Sequence, residues 1–144
     1  MTQIHKVEDY MDKTFVTLKE DMDVYQAINI LLDKGVTGAA VLDEKKKIVG
    51  ILSEKDCLRL LTRGSYFELP GGKVRDFMTK EVFCVAPSTD IFKIADMFLR
   101  FFFRRIIVKD EENRMIGQIT RRDLLRIIKE FHIKGKETKK APIL

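Results

Sequence analysis

With 144 residues, 45% of them apolar and 34% charged, the chain has the size and balance of one globular domain or of two half-domains sharing a core. It contains no apolar run near the roughly 20 residues that a membrane span needs, and its opening MTQIHKVEDYMDK lacks the apolar stretch of a secretion signal. The net charge of +5 sits in the second half, where residues 67–144 hold 17 Lys/Arg against 11 Asp/Glu while residues 1–66 hold 10 against 11, so an anionic partner is expected of a soluble, cytoplasmic protein.

In chain order, a short lead VEDYM precedes the β-rich run FVTL, and Asp23 then stands before an apolar period. Val24, Ala27, Ile28, Leu31 and Leu32 fall on one helical face, with Asp23 as N-cap and Gln26 placed to complete a capping box. The runs AAVL and IVGIL, joined by DEKKK, predict a buried hairpin, and a second helix is expected from residue 54 to about 62. The stretch RGSYFELPGGK reads as a joint. After it the same order returns: VRDFM, VFCV, a helix capped by Asp90, the strands IIV and MIGQI joined by DEENR, and a helix from 121 to about 131.

Residues 7–61 slide onto residues 74–128 without a gap, and 13 of the 55 columns are identical. This doubling predicts a mixed α+β fold of two β-α-β-β-α repeats, too small to bury their apolar faces alone and therefore packed about a pseudo-twofold axis with two related clefts. Repeat 1 is expected over residues 1–66, repeat 2 over 67–131, and a basic, flexible tail over 132–144. Beside the clefts fall GILSEKD and GQITRRD, where Gly50, Ser53 and Asp56 match Gly117, Thr120 and Asp123. An ionised aspartate can accept both hydroxyls of a ribose, and a helix start presents N–H groups to phosphate. The same residues also suit plain helix capping, and the two roles are compatible.

The doubled order, the strands GAAVLDE and RIIVKDE, and the paired G-h-h-[ST]-x-x-D motifs resemble tandem cystathionine β-synthase (CBS) domains, the Bateman module, over residues 7–131. The resemblance implies a non-catalytic regulatory sensor that binds an adenosine-containing effector such as AMP, ADP or ATP between the repeats, and that forms homodimers. It carries ligand contacts onto Ser53, Asp56, Thr120 and Asp123, with Thr17, Thr37, Gly38, Gly50, Cys84, Arg104, Arg105 and Gly117 as further candidates. The chain departs from the family where proline is absent from both second strands, where Glu20 stands opposite Pro87, and where Gln118 replaces an apolar residue.

Two features lie outside the shared pattern. RFFFRR, residues 100–105, replaces DKGVTG of repeat 1, which gives the clefts different charge. For Arg104 and Arg105 both solvation and a fork to a ligand phosphate are open, whereas Thr37 and Gly38 stand at the matching columns. Met97 and Phe101, with the broad apolar arcs of the second helices, are expected to form a self-association surface. Cys57 and Cys84 are expected as buried thiols, His5 and His132 lack metal-ligand spacing, and no oriented base or nucleophile stands beside the motifs. An interaction module without a ligand is the alternative function, and a nucleic-acid binder ranks lower because no recognition motif accompanies the basic half.

Overall fold

Asp23 and Asp90 start the helix that follows the first strand in each repeat, as their place before an apolar period dictates. Each accepts a hydrogen bond from the N–H two residues on, Tyr25 at 3.2 Å and Phe92 at 3.0 Å, opening α1 (Val24–Lys34) and α5 (Ile91–Arg100) in the computed structural model, which describes residues 4–64 and 68–140. Asp23 thus caps by itself, without the box to Gln26. α1 ends at Gly35, whose φ of 63° lets its N–H return to the Leu31 and Leu32 carbonyls. Phe102 fills the corresponding column of repeat 2, where a side chain disfavours that conformation. There the helix stops at Arg100 and the chain leaves extended through Phe101.

Each repeat contributes a three-stranded sheet. β1 (Thr17–Lys19) runs parallel to β2 (Gly38–Leu42), which pairs antiparallel with β3 (Ile48–Ser53). β4 (Cys84–Val85), β5 (Arg105–Lys109) and β6 (Met115–Thr120) repeat the arrangement. Even the hairpin turns match, since Lys46 and Asn113, 67 residues apart, both take φ 63°. The second helix of repeat 1 is two short pieces, α2 (Glu54–Cys57) and α3 (Arg59–Arg63), whereas its counterpart α6 runs unbroken over Arg121–Lys140.

The length of α6 corrects the expected tail: residues 132–140 are helical, because the run holds no proline and one interior glycine, Gly135, costs only about 1 kcal/mol. Residues 141–144, and residues 65–67 with the expected boundary between repeats, lie outside the described residues.

The two leads change places. α4 (Val74–Phe77) belongs by sequence to repeat 2, yet Val74 and Phe77 are buried among Leu18, Val24, Ala27, Leu31 and Leu52 of repeat 1. Reciprocally, Val7, in the turn Val7–Asp9, is buried among Ile91, Ile94, Ile106 and Ile119 of repeat 2. Backbone bonds fix both crossings: Val74 N–H to Met22 O at 2.8 Å and Val7 N–H to Thr89 O at 2.8 Å. Further on, Thr79 exchanges bonds with Ile51, and Asp12 with Gln118. Between the sheets, Ala40, Ile48, Ile107 and Met115 form a third apolar cluster at the pseudo-axis.

The helix faces also sort differently from the expected periods. Leu32 and Leu99, placed on the core face by spacing, are 73% and 87% exposed. Met97, expected at a self-association surface, is instead buried with Phe98 in the core of repeat 2. The apolar face α1 needs is narrower than its apolar period, since β2, β3 and α4 cover only one side of it.

Candidate functional site

Ser53 ends β3 in extended backbone and caps α2. Its Oγ accepts the Asp56 N–H at 3.2 Å, while Asp56 Oδ2 accepts the Ser53 N–H at 3.0 Å and the Ser53 hydroxyl at 2.9 Å, a reciprocal capping box. The crossing lead then brings a third donor: Thr79, held beside Ile51, gives its hydroxyl to Asp56 Oδ1 at 3.0 Å. Asp56 is 4% exposed and satisfied by these contacts.

A cleft of about 460 Å³ opens on this box, with Thr37, Ile51, Ser53, Asp56 and Leu58 from repeat 1 facing Thr79, Glu81, Phe83 and residues 102–105 from repeat 2. Arg105 reaches across the pseudo-axis and donates from Nη2 to the Thr37 hydroxyl. Gly38 makes room for it, because a Cβ there would stand 2.6 Å from Arg105 Nη1. Burial pushes the Arg105 guanidinium below its ordinary value and Arg104 adds to this, while Glu54 opposes both. The apolar wall comes from the early end of α5: Phe103 stacks on Phe83 at 4.7 Å and on Phe101 at 5.3 Å, and Phe102 stands fully exposed. Glu54, Asp56 and Glu81 balance Lys55, Arg104 and Arg105 around the cleft, so its lining is nearly neutral, with Arg105 as a directed guanidinium fork.

The second motif forms the same box with a different closure. Asp123 Oδ2 accepts the Thr120 N–H at 2.8 Å and the Thr120 hydroxyl at 3.0 Å, but its Oδ1 is paired with the Arg126 guanidinium at 2.9 Å. The column of Thr79 holds Asp12, whose carboxyl also lies near Gln118 and Arg126. Oδ1 of Asp123 is thus held by an ion pair and Oδ1 of Asp56 by a neutral hydroxyl, the weaker partner for an incoming donor to replace.

Of the residues expected at the site, Thr37, Ser53, Asp56, Arg104 and Arg105 line one cleft, with Gly38 beneath Arg105. Thr120 and Asp123 form the separate box, and Thr17 and Cys84 line two other hollows, of about 740 and 450 Å³. Gly50 and Gly117 serve the crossing leads: a Cβ at Gly50 would meet the Met78 thioether at 2.6 Å, and one at Gly117 would meet Met11. The missing side chains there leave room for the two methionines. Thr79, Glu81, Phe83 and Phe102 are additions that the sequence reading assigned to no site. No local motif marks them, since they reach the cleft only through the crossed lead and the end of α5.

The CBS domain family model matches the chain twice, over residues 7–63 and 74–130, and the chain belongs to that family as a tandem CBS pair. Inosine-5'-monophosphate dehydrogenase of Methanocaldococcus jannaschii is 29% identical over 123 residues, covering 85% of this chain and 23% of the dehydrogenase. The uncharacterized protein MJ1426 of the same organism is 28% identical over 156 residues, covering 88% of this chain and 92% of MJ1426. The chain spans less than half the length of several such curated relatives, 14% to 42% of each. CBSX2, solved in complex with AMP, superposes with a TM-score of 0.77 at 29% identity, covering 89% of this chain and 98% of that one. CBSX2 from Arabidopsis thaliana gives 0.76 at 27%, covering 90% and 98%. Among the described residues no helix is long and apolar enough to cross a membrane.

Proposed function

We propose that this CBS pair is a regulatory module whose Asp56 cleft binds an adenosine monophosphate, with Asp56 and Ser53 toward the ribose, Arg105 toward the phosphate and the Phe83–Phe103 wall toward the base. The observation that carries the reading is the convergence of Arg105 from repeat 2 on the Ser53–Asp56 box of repeat 1 in one cleft. The AMP complex of the relative CBSX2 supports the ligand class. The near-neutral lining, with three carboxylates to three cations, favours one phosphate over three. A homodimer through the exposed helix faces completes the reading.

The test is a thermal shift with AMP and ATP on the wild type, Asp56→Ala and Asp123→Ala. A ligand at a hundredfold excess over its Kd adds about 2.7 kcal/mol to a protein that binds it only when folded. AMP should raise the wild-type Tm more than ATP does, Asp56→Ala should lose most of the shift, and Asp123→Ala should keep it. No shift with any adenine nucleotide would favour an interaction module instead.

A further inference from the structure

Thr37 immediately precedes β2 and Arg105 opens β5, the second strands of opposite repeats, and their side chains meet across the pseudo-axis. By the repeat register, Gly38 is the counterpart of Arg105 itself. The arginine therefore lies over its own mirror position, in space that any other residue at 38 would fill: a Cβ would approach Nη1 to 2.6 Å and Cζ to 3.2 Å. Ligand recognition and inter-repeat contact thus draw on one guanidinium.

We propose that Thr37 competes with the ligand's phosphate for Arg105, so that the cleft sets its phosphate affinity by an internal hydrogen bond and releases that bond only to phosphorylated ligands. The proposal rests on the nucleotide reading of this cleft. The Thr37 hydroxyl is a neutral acceptor, and a phosphate oxygen is charged, so the guanidinium gains a stronger bond when it changes partner. The exchange still costs the first bond, which lowers phosphate affinity by that amount. Adenosine, without a phosphate, leaves the Thr37–Arg105 bond in place. Thr37 is in this sense a specificity-determining residue that works through Arg105, and the tie between repeats is what phosphate occupancy undoes.

Calorimetry with AMP and with adenosine on the wild type, Thr37→Val, Thr37→Ser, Arg105→Ala and the Thr37→Val, Arg105→Ala double variant tests the exchange. Thr37→Val should tighten AMP about three- to tenfold, the range of one net hydrogen bond, and leave adenosine unchanged. Thr37→Ser keeps the hydroxyl and should match the wild type, and the gain should vanish in the Arg105→Ala background. Weaker AMP binding in Thr37→Val would make Thr37 a ligand contact and overturn the competition, as would an equal gain for adenosine or a gain that survives without Arg105. If Thr37→Val does not fold, Thr37→Ala carries the same comparison. A wild type that binds neither compound overturns the nucleotide reading and the competition with it, whereas AMP binding with the pattern reversed overturns the competition alone.

Discussion

Asp12 and Thr79 share one column of the repeat, and the exchange of a carboxylate for a hydroxyl gives each motif its own closure. The Asp12 carboxyl is held below its ordinary value of 3.8, first by the Thr14 hydroxyl at 2.7 Å and then by the Thr14 N–H at 2.8 Å, with burial opposing and Gln118 and Arg126 adding. A carboxyl lowered in the folded state stabilises the fold above its unfolded value, and that contribution is lost as pH falls through the folded one. Thr14→Val should therefore cost about 0.5 to 1 kcal/mol at neutral pH, a modest figure for a partly exposed bond. The two proteins should converge in stability below the ordinary aspartate value, and urea unfolding across pH 2.5 to 7 measures it. A deficit that stays constant in acid would mean that Thr14 acts through packing and not through the Asp12 charge.

At the scale of elements, the crossed leads are what complete each core. Phe77 is 4% exposed in the cluster of repeat 1, although its sequence neighbours lead into repeat 2. Phe77→Ala should destabilise by about 3 to 5 kcal/mol, as large-to-small changes in packed cores do. Hydrogen exchange should place much of the loss in α1, which packs on α4, and protection lost only around β4 and α5 would contradict the crossing. The same crossing delivers Thr79 to Asp56, so the site owes one donor to an element that begins on the far side of the joint. The early stop of α5 is the other element-scale cause, because the chain leaves the helix extended at Phe101, and Phe101, Phe103 and Phe83 stack beside the cleft.

For the whole molecule, the exposed leucines belong together. Leu32, Leu58 and Leu61 of repeat 1 are matched column by column by Leu99, Leu125 and Ile128 of repeat 2, all between 58% and 87% exposed. Matched apolar exposure in both repeats supports the proposed homodimer, since a second copy would offer the same residues. Sedimentation should give twice the chain mass of 16.8 kDa, and Leu99→Glu with Leu125→Glu should give the single mass while the AMP shift persists. A wild type that stays monomeric at micromolar concentration would remove the dimer from the proposal.

The sequence by itself determined the doubling, which a gapless self-alignment reads directly, and the order of elements, the caps at Asp23 and Asp90 and the two hydroxyl–aspartate motifs, which depend on residues within a few positions of one another. Helical spacing marked a face through Leu32 and Leu99, but the width of that face is set by what lies against it, and both leucines point to solvent. Tertiary structure alone decided which core each lead enters, that Gly50 and Gly117 clear space for Met78 and Met11, and that Arg105 shares its cleft with Asp56 and not with Asp123. These are pairings between segments from 28 to more than 100 residues apart, where many partners satisfy the same local pattern. Packing two incomplete cores against each other selects among them, and the crossed arrangement buries Val7 and Val74 completely.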